Sequence, residues 1–253
     1  MLKRVSFILV YFIGFCIDVK AQQEAPNPNE YQEYKPVLMR NQVTYGLTAH
    51  TAGFGIDVRR GKHITGYKLR VLDFEFVSMR HPKEIRSVNP YFENAKSYVY
   101  GKLNQVFVLR SGVGEQRTLF SKAERGNFQI CMNYNFGFSL AFAKPVYLEI
   151  LNDSTDYPFD YFIDRYDPNK YYIDQIMGRA SFFEGIGHTK IYPGIYTKLG
   201  FNFDWSSRDE GVKALEVGII GDVYYKSIPM MAYNTNHPYY VNFYLTFLFG
   251  RKW

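Results

Sequence analysis

Nine charged residues stand at positions of one parity inside segments whose other parity is apolar. They are Asp57, Arg59, Asp73, Glu75, Arg110, Lys198, Asp204, Glu216 and Asp222. Carboxylates and cations gathered on one face can neutralise one another in ion pairs, or can pass protons or ions along a path. Removing unpaired charge from water is costly, so if this face is enclosed its opposite charges must pair. The spacing therefore supports a salt-bridged plug, with an ion path or proton relay through the carboxylates as the alternative.

The other residues able to do chemistry are scattered. His50, His63, His81, His188 and His237 form no close pair with metal-ligand spacing. Two local sets, His81 with Glu84 and Ser87, and His188 with Ser181 and Glu184, could imitate a nucleophile-and-base arrangement. Ser, His and Glu share polar loops commonly, and the reading adopted is non-catalytic, without cofactor or metal. Asp153, Asp156, Asp160, Asp164, Asp167 and Asp174 crowd one segment, but their spacing does not match a calcium-binding EF-hand loop, and a solvated acidic face is expected. Gly185-Ile186-Gly187 lacks the strand-then-helix setting of a nucleotide loop.

What positions the charged face is a period of two. From Phe128 to Ala143 the apolar set Phe128, Ile130, Met132, Tyr134, Phe136, Phe138, Leu140 and Phe142 alternates with polar or small residues. A helix does not produce this pattern. The same alternation marks segments near 42–51, 54–62, 67–80, 102–116, 191–205, 213–225 and 239–250. The last of them, 239–250, is close to the ~9–11 residues that a tilted strand needs to cross a bilayer. Together they predict an all-β fold, an eight-stranded antiparallel transmembrane barrel with long extracellular loops. An even strand number puts both termini on one side, taken as the periplasm. A barrel of this size is just wide enough for its inward side chains to fill it.

The first 21 residues carry Lys3 and Arg4, an apolar run from Val5 to Ile17 and the ending Val19-Lys20-Ala21, which predicts a cleaved signal peptide. Residues 22–41 are expected to form a flexible periplasmic lead-in and 42–253 the barrel. Loss of Cys16 with the signal leaves Cys131 alone, so no internal disulfide is expected. The 23 Tyr and 22 Phe suit aromatic girdles at two membrane interfaces. A net charge of +6 without a dense basic stripe gives no reason to expect nucleic acid.

The connection from Asn152 to Lys190 is far longer than a turn needs, and loops of that size are usually functional or disordered. Tyr157, Phe159, Tyr161, Phe162, Tyr166, Tyr171, Tyr172, Phe182 and Phe183 argue against a free polar coil. The spacing of Ile173, Ile176, Met177 and Ala180 predicts a short helix. The segment is read as a cap over the barrel mouth, as an aromatic surface for another protein, or as both.

The signal, the strand count and the final strand ending at Phe249 make residues 42–253 resemble the small eight-stranded outer-membrane barrels of the OmpA and OmpX type. The Tyr-rich style and the block from His81 to Ser87 are similar to poorly characterised outer-membrane barrels of the Bacteroidota. The resemblance implies outer-membrane lipid as the surroundings, insertion by the barrel-assembly machinery, and a structural or accessory role beside other envelope proteins of a secretion or outer-membrane assembly complex. A lipid-modifying enzyme of the lipid A deacylase or acyltransferase type, and then a small-solute channel, are the alternatives it admits.

Overall fold

A computed structural model describes residues 39–90, 95–121, 128–152, 161–206 and 210–253, all within the compact unit Pro36–Trp253. The expected signal and most of the lead-in lie outside the described residues. Eight strands form the barrel: β1 (Asn41–His50), β2 (Gly53–Thr65), β3 (Lys68–Met79), β6 (Asn104–Phe120), β7 (Gln129–Pro145), β11 (Lys190–Asp204), β12 (Gly211–Tyr224) and β13 (Tyr239–Lys252). Each is antiparallel to its predecessor in this series, and β1 closes on β13 from Gln42 opposite Lys252 to His50 opposite Tyr244. Closure leaves the barrel no strand edge with unpaired backbone groups. The long alternating segments read in the sequence are these strands. β6 runs on to Phe120, beyond the 102–116 segment that alternation marked, and β7 begins at Gln129.

Alternation sorts each strand into two faces. Leu47, Ile56, Phe74, Leu109, Phe138, Leu199, Ile219 and Phe247, one on each strand, are exposed large apolar side chains of the outer wall. Soluble monomers rarely expose contiguous apolar patches above a few hundred Å², and here the apolar surface goes round the whole circumference. The inner face is layered. At the end where the long connections lie, Ile228, Met230 and Met231 of the β12–β13 connection pack on Val77, Met79, Val106, Val108 and Ala141. Leu103 N donates to Met230 O at 2.9 Å and Asn104 Nδ2 to Pro229 O at 2.6 Å, fixing this apolar cork. At the end that holds the C-terminus Val212, Ala214 and Leu248 close a smaller cluster. The charges lie between these layers.

The described parts of the long connections are folded. β7 stops at Pro145, which has no N–H to offer a ladder. The chain then re-forms as β8 (Tyr147–Leu151), flanked by β9 (Tyr161–Arg165) and β10 (Ile176–Arg179) in a three-stranded sheet. A two-residue ladder, β4 (Arg86–Ser87) with β5 (Tyr98–Val99), lies in the connection after β3. The helix expected over Ile173 to Ala180 is absent: a 3₁₀ turn over Ile173–Gln175 leads directly into β10. Its apolar spacing also fits a strand, and Ile176, Gly178 and Ala180 are buried at a period of two while Met177 and Arg179 are not.

Candidate functional site

The strand register brings the inward charges side by side. Asp57 of β2 lies opposite Glu75 of β3, Glu75 opposite Arg110 of β6, and Arg110 opposite Ser139 of β7. Arg59 grips two carboxylates at once: Nε and Nη2 donate to Asp57 at 2.9 Å each, and Nη1 and Nη2 to Glu216 at 2.5 and 3.0 Å. Arg110 donates to Asp222 through Nε and Nη2 at 2.9 and 2.7 Å, and its Nη1 lies 3.4 Å from Glu75. Planar guanidinium forks are suited to such bidentate pairing.

Between them stands Lys198. Oxygens of Asp57, Asp73 and Glu75 lie within 4.8 Å of one another, a spacing that a cation could bridge. The Lys198 ammonium takes that position, 3.2 Å from Asp57, 3.2 Å from Glu75 and 3.9 Å from Asp73. It also lies 4.6 Å from the Tyr244 ring centroid. An unbroken series of contacts thus crosses the barrel from Asp222 through Arg110, Glu75, Lys198, Asp57 and Arg59 to Glu216.

Five carboxylates (Asp57, Asp73, Glu75, Glu216, Asp222) face three cations (Arg59, Arg110, Lys198), all buried. Neutral donors serve the excess acceptors: Tyr244 Oη and Asn133 Nδ2 donate to Glu216 at 2.8 and 3.1 Å, Asn135 Nδ2 to Asp73 at 2.8 Å, and Ser139 Oγ to Asp222 at 3.1 Å. Room for these rings comes from glycine. A Cβ on Gly200 would stand 2.2 Å from Tyr244 Oη, and one on Gly112 would stand 2.6 Å from Tyr196 Oη. Two lumen cavities near the Arg59 end measure about 10 and 30 Å³, room for one or two waters.

The network gathers eight of the nine charged residues expected to face inward. Asp204 is the ninth, and it stands apart. Six residues beyond Lys198 on β11, or about 20 Å at strand rise, it lies 3.4 Å from Lys252 Nζ and accepts from Ser206 N at 2.8 Å. The parity signal that picked it out says which face a residue occupies and nothing of its height. Tyr244 and Lys252 escaped the sequence reading because an aromatic or terminal residue in an alternating strand gives no separate sign of a lumen role.

The aromatic loop residues divide. Tyr166 and Tyr171 are buried with Tyr98, Leu148, Ile150 and Ile176 in the core of the loop sheet, so they are not a contact surface. Tyr161, Phe162, Tyr172, Phe182 and Phe183 are exposed, Phe183 to 77%. Tyr157 and Phe159 lie outside the described residues. The Tyr171 hydroxyl and the Lys170 ammonium both donate to Asp164, and these bonds hold its carboxyl below the ordinary aspartate range. Burial pushes the Tyr166 phenol up.

The histidine sets are not assembled as a nucleophile and base. His81 N donates to Glu84 Oε1 at 3.0 Å and its Nδ1 accepts from Lys83 N at 3.2 Å, while partial burial lowers the ring's pKa. His188 Nδ1 is 3.5 Å from Tyr147 Oη. Among the described residues no hydrogen bond joins His81 to Ser87 or His188 to Ser181.

No protein-family model matches the chain, and no curated protein matches it. Among solved structures it is similar to Ail, the attachment invasion locus protein of Yersinia pestis, at 6% identity and a TM-score of 0.39, over 85% of this chain and 99% of that one. It is also similar to Neisserial surface protein A at 10% identity and a TM-score of 0.39, over 85% and 97%. At these values the likeness carries no functional argument, and the closed eight-stranded barrel stands on its own register.

Proposed function

We propose that this chain is an outer-membrane barrel with periplasmic termini and a sealed lumen, a non-catalytic scaffold whose folded outer loops contact other envelope proteins. The observation that carries this reading is the division of labour along the barrel axis. Its middle is filled by interlocked ion pairs under an apolar cork, and its long connections build a sheet with its own core and exposed rings. The apolar circumference supports burial in lipid, with outer-membrane lipid as the surroundings and the barrel-assembly machinery as the route in. The long connections at one end support an outward orientation of that end. The resemblance read in the His81–Ser87 block and the Tyr-rich style admits an accessory place in a secretion or outer-membrane assembly complex.

Exposed aromatic side chains serve well as anchors at protein interfaces. The test is site-specific photo-crosslinking in the native envelope, with the reactive group at Tyr172 or Phe183 and a control at Tyr67 near the opposite end. A discrete protein adduct from the loop positions and none from Tyr67 is the expected result. Lipid adducts alone from all three positions would contradict the partner reading.

A further inference from the structure

A larger, partly open space lies outside the barrel wall. Arg80, Arg86, Lys96, Lys102, Lys144 and Arg179 border a cavity of about 600 Å³ between the loop strands and the ends of β3, β6 and β7, with Glu84 and Glu149 as its carboxylates. Lys96 is committed to Glu149 and Lys102 to Glu84, each at 2.6 Å. Among the described residues the other four cations have no carboxylate within 4.0 Å. Lys144 is the most telling of them. It is 7% exposed, and its ammonium makes one hydrogen bond, to Glu184 O at 2.8 Å, over the Phe182 ring at 5.0 Å. An ammonium has three donors, so a buried one with a single protein acceptor has capacity left for an anion.

Parity sets the direction in which this space opens. Met79 and Ala143 point into the lumen, so their neighbours Arg80 and Lys144 belong to the outer face. The Arg80 guanidinium lies 5.6 Å from the ring centroid of Phe54, itself on the outer wall. Further down this outer face, Phe76 of β3 stacks on Phe107 of β6 at 5.9 Å, and Phe107 meets Phe182 of the β7–β11 connection edge-on at 6.1 Å. Cations with no carboxylate within 4.0 Å among the described residues thus sit above an aromatic wall that faces the apolar surroundings of the barrel.

We propose that this cavity binds the phosphorylated headgroup of a membrane glycolipid, whose acyl chains descend along Phe76, Phe107 and Phe182. A soluble anion would use the cations and leave the wall unused; a phosphorylated lipid engages both. The inference rests on the membrane reading given above.

The test uses the full chain in detergent micelles and counts bound lipid by native mass spectrometry. Titration with bisphosphorylated lipid A is compared with dephosphorylated lipid A, with inorganic phosphate added as competitor. One tightly held lipid A per barrel is expected. Its binding should weaken about tenfold or more on dephosphorylation, and similarly in the doubly substituted Arg86→Gln/Arg179→Gln chain and in Lys144→Gln. Arg86 and Arg179 are exposed and lie outside the barrel strands, so the double variant keeps the barrel intact, as heat-modifiable gel mobility would verify. Equal binding of both lipids, or binding indifferent to the substitutions, overturns the proposal. So does complete displacement by inorganic phosphate, which would mark a soluble-anion site. Flotation of the envelope separates the two failures: a chain that leaves the membrane fraction defeats the membrane reading, and one that remains there without phosphate preference defeats this inference alone.

Discussion

The lumen and the outer loop sheet both bury side chains away from water, but they are held by different forces. In the lumen Arg59, Arg110 and Lys198 each engage at least two carboxylates, and their bonds tie β2, β3, β6, β11 and β12 across the barrel. In the loop sheet Tyr98, Leu148, Ile150, Tyr166, Tyr171 and Ile176 make a core with no ion pair inside it. A charged network is unforgiving, because loss of one member leaves its partner buried and uncompensated. An apolar core loses only the contacts of the missing atoms. Damage to the lumen should therefore spread through the whole barrel, whereas damage to the loop sheet should stay local.

The largest effect is expected from Lys198→Met, which strands Asp57, Asp73 and Glu75 together without their central cation. A loss of about 3–5 kcal/mol is the scale for breaking a buried pair, read as a lower urea midpoint for unfolding from lipid vesicles. An unchanged midpoint would remove the distinction between the two regions. Leu148→Ala should cost about 2–5 kcal/mol, but to the loop sheet alone. Limited proteolysis should then cut between β7 and β11 while the barrel keeps its heat-modifiable mobility, and a collapse of both together would show one cooperative unit.

Gly200→Val sharpens the account of the lumen. The new side chain would start 2.2 Å from Tyr244 Oη and drive the phenol off Glu216, at the ~1–3 kcal/mol typical of overpacking. The same urea titration should place it between wild type and Lys198→Met. The smallest effect belongs to Asp164. Because its folded pKa is lowered by Tyr171 and Lys170, its contribution is present above the ordinary aspartate value of about 3.9 and is lost as pH falls through the lowered value. Amide exchange in the Asp167–Tyr171 turn should rise over that acid window, and Asp164→Asn should abolish the rise.

Much of this was legible from alternation alone. The period of two fixed which residues of β1, β2, β7, β11 and β13 face inward, and the strand register, which alternation does not give, then brings Asp57, Glu75, Arg110 and Lys198 into one small space. Three features carried no such signal. Ile173, Ile176, Met177 and Ala180 fit a helix face and a strand equally well, and pairing with β8 decided the matter. The cork formed by Ile228, Met230 and Met231 lies in a non-alternating stretch interrupted by Pro229, and only the backbone bonds to Leu103 and Asn104 reveal its place. The cations around the outer cavity come from four separate connections and strand ends, so nothing in the linear order groups them.

The central claim is that the charged middle layer seals the barrel within a membrane. Single-channel recording on purified monomer in planar bilayers tests it most directly. Silent membranes with inserted, protease-protected barrels are the predicted result, and discrete conductance steps from the monomer would contradict it.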